Sequence, residues 1–147
     1  LHRRWFSWVG GGAWAVDTVP GGWEPASAMR LSVSEVDRLE EASVVYSSVP
    51  SIVESGWAPG FGQLLGEVWR DRGLGDFYGY MLVAEGAAEV MVESELKIWD
   101  LAAPRAVAQH AGARFSDIEG GQDMPAHGVL ATNGHLHETI LAELARA

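Results

Sequence analysis

The 147-residue sequence predicts an α/β fold in which helices pack on a central sheet. After Met29, short apolar runs rich in β-branched residues alternate with segments of helical periodicity, which is typical of an α/β layer fold. Apolar residues make up 48% of the chain, enough to bury one ordinary core. The sequence contains no internal repeat and no low-complexity segment, so neither a solenoid nor a disordered region is indicated.

The first predicted element is a β-hairpin that precedes the α/β region. Residues 4–9 and 13–16 are aromatic and β-branched runs on either side of three glycines. These glycines suit a turn, because a phosphate-binding loop would need a helix directly after it and the chain continues as strand. The Pro- and Gly-rich loop at residues 20–25 follows. We therefore divide the chain into a hairpin and linker, residues 1–28, and an α/β domain, residues 29–147.

The remaining elements follow from periodicity and end signals. Strands are predicted at residues 42–47, 88–92, 113–116 and 129–132, with a short strand near residue 70; helices are predicted at 61–69, 76–85, 100–111 and 135–146. Asp76 is a candidate N-cap for the second helix, and Gly86 ends it. In the last helix, Leu136, Ile140 and Leu144 share one face with Leu141.

Charge and composition exclude several classes of protein. Twenty acidic residues against ten basic ones give a net charge of −10, which repels nucleic acid and anionic membranes. Because the chain has no cysteine, any metal must be bound by oxygen or imidazole. The longest apolar runs are far too short to span a bilayer. The sequence begins with Leu1, which we interpret as a cut end, so a targeting segment before it would not be visible. We expect a cytoplasmic location.

Two carboxylates are predicted to gather where one strand ends and the next helix begins. Glu93 follows the strand at 88–92, and Asp100 starts the helix at 100–111. The carboxyl edge of an open α/β sheet is where such folds bind ligands. Each residue also has a purely structural interpretation: Asp100 as a helix N-cap, and Glu93 as a solvated strand end. Spacing alone does not decide between them.

The pattern around Asp100 resembles the second sequence motif of the inositol monophosphatase superfamily. Residues 99–104 read Trp-Asp-Leu-Ala-Ala-Pro and are followed by Val107 and by Gly112-Ala113. Ala113 departs from the family, where a second Gly is commoner. The resemblance extends to residues 31–34, to Gly-Asp-Phe at 75–77 and to Ala-Thr-Asn-Gly at 131–134. It implies the carboxyl-terminal α/β layered domain of that family's sandwich, preceded by a β-hairpin from the amino-terminal domain.

The resemblance implies roles for residues in this motif. Asp100 matches the family's Asp that ligates a catalytic Mg²⁺, a cation that favours oxygen ligands and keeps water molecules that can attack phosphorus. Trp99 is expected to pack beneath the loop, with direct substrate contact as the alternative. Ala102, with the alanine after it, suits a helix start that other backbone approaches closely.

Two further carboxylates are expected to contact the substrate. Glu93 stands where the family places a carboxylate that contacts the alcohol portion of the substrate. Asp76, in the Gly-Asp-Phe pattern, resembles what histidinol-phosphate phosphatases have at this position, whereas inositol phosphatases usually have Gly-Ser there. A second carboxylate suits an alcohol that carries an ammonium. The alternative role of Asp76 is a helix cap.

The family's first motif, Asp-Pro-Ile/Leu-Asp-Gly-Thr, is absent, because Asp17-Thr18 lacks its second Asp and its Gly. We therefore expect a Mg²⁺-dependent phosphomonoesterase for histidinol phosphate that is inactive without its missing amino-terminal half. The alternatives are a phosphatase for inositol or another sugar phosphate, and a catalytically dead binding or oligomerisation domain. The expected partners are a small phosphomonoester substrate, the missing half and a second copy in a homodimer; neither nucleic acid nor a membrane is expected.

Overall fold

The structure, a computed structural model, describes residues 2–18, 22, 27–122, 124 and 127–146. Its strands are β1 (Arg3–Trp8), β2 (Gly12–Asp17), β3 (Met29–Arg30), β4 (Ser43–Tyr46), β5 (Arg70–Gly73), β6 (Val90–Glu93), β7 (Arg114–Ser116) and β8 (Val129–Thr132). Its helices are α1 (Val49–Glu54), α2 (Ala58–Glu67), α3 (Phe77–Ala84), α4 (Ile98–His110) and α5 (His137–Leu144). The alternation of strands and helices from β4 onward confirms the predicted α/β fold.

The strands form two sheets. In the first, β1 pairs antiparallel with β2, and β2 pairs antiparallel with β3. The second is a five-stranded mixed sheet in the order β5-β4-β6-β8-β7. Within it β4 lies parallel to both β5 and β6, whereas β8 runs antiparallel to β6 and β7. The parallel strands β4, β5 and β6 therefore share one carboxyl edge, and helices connect them.

Helices cover both faces of the five-stranded sheet because its strands alternate between two cores. Val45 and Met91 belong to a core that includes residues of α3 and α4, whereas Val44 and Val90 belong to a second core with residues of α1, α2 and α5. Ala13 of the first sheet belongs to the α3 and α4 core. The layers are thus the three-stranded sheet, α3 with α4, the five-stranded sheet, and α1, α2 and α5.

The hairpin is confirmed, with Trp5 opposite Ala15 in an antiparallel register. The first sheet nevertheless extends past the predicted division at residue 28, because Met29 pairs with Ala15 and Arg30 with Trp14. Apart from Gly22, the loop at residues 20–25 lies outside the described residues. The division into two domains stays a prediction. None of the described helices has the length and apolar character that crossing a membrane requires.

Candidate active site

A cavity of about 200 Å³ opens where β6 ends and α3 and α4 begin. It is lined by Asp76, Phe77, Tyr80, Glu93, Glu95, Leu96 and Asp100. The three carboxylates that the sequence singled out therefore lie around one cavity. Of these seven lining residues four are acidic and none is basic, so the cavity favours a metal ion or a cationic group.

Glu93 ends β6 and is buried, with 6% of its surface exposed. The alternative of a solvated strand end is therefore wrong. The Tyr80 hydroxyl donates a hydrogen bond to Glu93 Oε2 over 2.7 Å. Burial raises the pKa of Glu93, the hydrogen bond from Tyr80 lowers it, and the nearby carboxylates of Asp76 and Asp100 raise it. Glu93 is thus a hydrogen-bond acceptor, and a cation beside it would stabilise its ionised form.

Tyr80 holds its hydroxyl in place through a buried ring. The side chain is 1% exposed and stacks on Phe115, with ring centroids 5.9 Å apart and an angle of 15° between the planes. Burial and the neighbouring Glu93 carboxylate both raise the pKa of Tyr80. The phenol therefore stays neutral and remains a hydrogen-bond donor at any physiological pH.

Asp76 precedes α3 in a backbone conformation that few residues other than glycine adopt. Its φ is 60° and its ψ is −160°, and it is the one described non-glycine residue with positive φ. Such a conformation costs of order 1–3 kcal/mol. The Asp76 side chain makes no capping hydrogen bond to α3, so the expectation that it caps this helix is wrong. Asp76 is exposed and lines the cavity.

Asp100 lies in the first turn of α4 and is exposed. The helix begins at Ile98 with Lys97 as its N-cap, so the interpretation of Asp100 as the N-cap is wrong. Asp100 is the third helical residue, and its Oδ2 accepts a hydrogen bond from the backbone N–H of Lys97 over 3.3 Å. This single long bond leaves most of its acceptor capacity available. A metal role is therefore compatible with this bond.

The supporting residues on α4 differ from expectation. Trp99 is 73% exposed, so the expectation that it packs beneath the loop is wrong for the described part of the chain. Ala102 is also exposed. The beginning of α4 is therefore exposed at both positions.

The model of the inositol monophosphatase family matches residues 2–147. The chain belongs to the inositol monophosphatase family. Within that family it resembles proteins named histidinol-phosphatase. The Streptomyces coelicolor protein of that name is 40% identical over 144 residues, and the Mycobacterium tuberculosis protein is 42% identical over 149 residues. Each alignment covers 98% of this chain but 52% and 53% of the relative, so the chain spans about half the length of these curated relatives.

The fold is shared with solved structures in this family. The suhB extragenic suppressor protein of Bartonella henselae superposes with a TM-score of 0.74 at 21% identity. The superposition covers 95% of this chain and 54% of that chain. The layered α/β architecture is therefore that of an inositol monophosphatase family member.

The carboxylates at the cavity include oxygen donors of the type that a metal ion needs. Asp100 supplies accessible carboxylate oxygens, the ligand type that Mg²⁺ prefers. Within the described residues, however, no three His, Asp or Glu side chains are grouped closely enough to hold a metal ion. Asp100 is therefore one accessible carboxylate and not part of a complete metal site among these residues.

Four lining residues were not predicted to belong to the site: Phe77, Tyr80, Glu95 and Leu96. Tyr80 could have been found, because it lies four residues after Asp76 and side chains at this spacing share one side of a helix. Glu95 and Leu96 lie in the loop between β6 and α4, where no periodicity indicates which side chains face a cavity.

Proposed function

We propose that these residues form the carboxyl-terminal half of a Mg²⁺-dependent phosphomonoesterase that hydrolyses L-histidinol phosphate, a reaction of histidine biosynthesis in the cytoplasm. The observation that supports this proposal best is the acidic cavity, in which a strained Asp76 and a buried Glu93 lie near Asp100. The likeness to two bacterial histidinol-phosphatases supports the choice of substrate.

In this proposal, one residue of this half acts at the phosphate and two bind the alcohol portion of the substrate. Bound Mg²⁺ would neutralise phosphate charge and lower the pKa of an attacking water. Asp100 would hold the ion, together with ligands from the preceding half. Glu93 and Asp76 would accept hydrogen bonds from the ammonium of L-histidinol, and charge-assisted bonds of this kind are about twice as strong as neutral ones. These bonds orient the ester for attack.

We further propose that the preceding half and a second copy of the protein are the macromolecular partners. An apolar cavity of about 240 Å³ lies between Trp5 of β1 and residues of α3 and α4, including Met81 and Val107. Trp8 on the hairpin is also half exposed. Apolar surface of this kind is typical of a chain that packs against further protein.

The isolated 147-residue chain should hydrolyse L-histidinol phosphate no faster than buffer. Asp100 alone cannot hold a metal or activate water, because both need the carboxylates that the described residues do not group. Phosphate release is measured from the purified chain with and without Mg²⁺. Release that depends on Mg²⁺ would contradict the proposal that half of the site lies elsewhere.

The substrate is tested by removing the Asp76 carboxylate in the full-length protein. Asp76→Ser and Asp76→Gly should each cost about 1.5–3 kcal/mol for L-histidinol phosphate, the usual worth of a hydrogen bond to a charged group. This corresponds to about tenfold or more in kcat/KM. For inositol 1-phosphate, which has no ammonium, kcat/KM should fall far less. Both substrates are measured at matched Mg²⁺ and pH.

The two variants separate binding from strain. Glycine adopts the φ of 60° freely and serine does not, so only Asp76→Gly should relieve the backbone strain. We expect equal kinetic losses, with Asp76→Gly melting at a temperature no lower than that of Asp76→Ser. A parallel fall for both substrates would make Asp76 a scaffold residue and would favour the alternative of a general sugar-phosphate phosphatase. Absence of all activity in the full-length protein would favour a catalytically dead binding domain.

A further inference from the structure

Glu93 has a long, flexible side chain and one hydrogen bond. Tyr80 is its sole side-chain hydrogen-bond partner among the residues that the structure describes. Because this bond goes to Oε2, Oε1 is left as an acceptor at the cavity. A glutamate side chain loses appreciable rotamer freedom when it is ordered, so a bond that orders it beforehand reduces the cost of binding a ligand.

Tyr80 itself is fixed by close packing of α3 on β6. Gly79 lies so near Met91 of β6 that a Cβ built on it would stand 2.3 Å from the Met91 sulfur. The next residue, Tyr80, is buried and stacks on Phe115 of β7. The position of the hydroxyl is therefore set by three elements of the fold and does not depend on a mobile loop.

We propose that Tyr80 is a positioning residue that acts through Glu93, fixing one carboxylate oxygen so that the other accepts the ammonium of the substrate. This inference rests on the proposed function, because it takes Glu93 to bind the alcohol portion. Among the described residues, Tyr80 makes its hydrogen bond to Glu93 and none to Asp100. Its effect should therefore fall on binding of the cationic group and not on attack at phosphorus.

Tyr80→Phe removes the hydroxyl and keeps the stacked ring. In the full-length protein we expect KM for L-histidinol phosphate to rise about tenfold with kcat within about twofold, the pattern for loss of an interaction made equally before and during reaction. KM for inositol 1-phosphate should change less than about threefold. Tyr78→Phe is the matched control, because Tyr78 is on the same helix and its hydroxyl bonds to no other described residue. This control should behave as the parent.

A double-mutant cycle shows whether Tyr80 acts through Glu93. Glu93→Gln should raise KM for L-histidinol phosphate by itself, and Tyr80→Phe should then add little in that background, because the residues form one unit. Additive losses would overturn the inference and leave the proposed function standing, as would a Tyr80→Phe variant that folds and matches the parent. If Glu93→Gln leaves KM for both substrates unchanged, both the inference and the proposed alcohol site are wrong. If Tyr80→Phe lowers kcat equally for both substrates and melts early, Tyr80 supports only the core and the inference is wrong.

Discussion

Asp100→Asn in the full-length protein should lower phosphatase activity by about two orders of magnitude or more while hardly changing the melting temperature. Loss of a charged Mg²⁺ ligand weakens a charge stabilisation worth several kcal/mol, and each 1.36 kcal/mol is a factor of about ten in rate. Asparagine retains an oxygen that can accept the hydrogen bond from the Lys97 N–H. The lost charge near the start of α4 costs only about 0.3–1 kcal/mol.

Activity and melting temperature are measured side by side, with Asp37→Asn as the control. Asp37 is an exposed acid between β3 and β4 and does not line the cavity. This variant should match the parent in both measurements. If Asp100→Asn lost activity and stability together, Asp100 would have a structural role only, and unchanged activity would end its assignment as a ligand.

Acid should destabilise the fold through His137, which is fully buried at the start of α5. The Gly134 N–H donates to Thr132 Oγ1, so the Thr132 hydroxyl hydrogen is available for His137 Nδ1 at 2.9 Å. On the other side, the Ser116 hydroxyl donates to the carbonyl of Asp117, so it accepts from His137 Nε2 at 2.9 Å. These bonds suit a neutral ring that carries its hydrogen on Nε2.

The direction of the pH dependence follows from the lowered pKa of His137. Burial, aided by Arg114 and opposed by Glu138, lowers the pKa of His137 from 6.5 to about 4. Between these values the unfolded chain binds the extra proton, so this contribution to stability is complete above pH 6.5 and is lost as pH falls toward 4. The loss approaches about 3 kcal/mol, since one pKa unit is worth about 1.36 kcal/mol.

Melting temperatures of the chain between pH 7.5 and 4 check this expectation. His137→Gln should have a lower melting temperature than the parent at pH 7.5. Its melting temperature should fall less on acidification, because glutamine has no group that becomes protonated in this range. His110→Gln is the control, since His110 is exposed in the last turn of α4, and it should follow the parent. If His137→Gln and the parent lost stability in parallel, the acid sensitivity would come from the carboxylates.

The order of strands and helices predicts that Glu93 and Asp100 lie close together, whereas Asp76 was expected there only from the family resemblance. Glu93 ends a parallel strand, while Asp76 and Asp100 stand at the amino ends of α3 and α4, which begin at the same edge of the sheet. Helix α1 was not predicted, because its six residues are too few to show a periodicity.

Contacts between distant residues are harder to predict than connectivity. Backbone strain at Asp76 depends on how α3 packs, and no pattern in the sequence reports its φ of 60°. The bond from Tyr80 to Glu93 joins residues 13 positions apart and exists only once α3 lies against β6. Trp99 was expected to pack beneath the loop, yet it is exposed early in α4.

Substrate preference of the full-length protein tests the central claim most directly. We compare kcat/KM for L-histidinol phosphate with that for inositol 1-phosphate, each with Mg²⁺ and after chelation. Two charge-assisted bonds, from Glu93 and Asp76 to the ammonium, predict a preference of about a hundredfold or more for L-histidinol phosphate, and activity that disappears on chelation. Equal or reversed preference, or activity that survives chelation, would contradict the account.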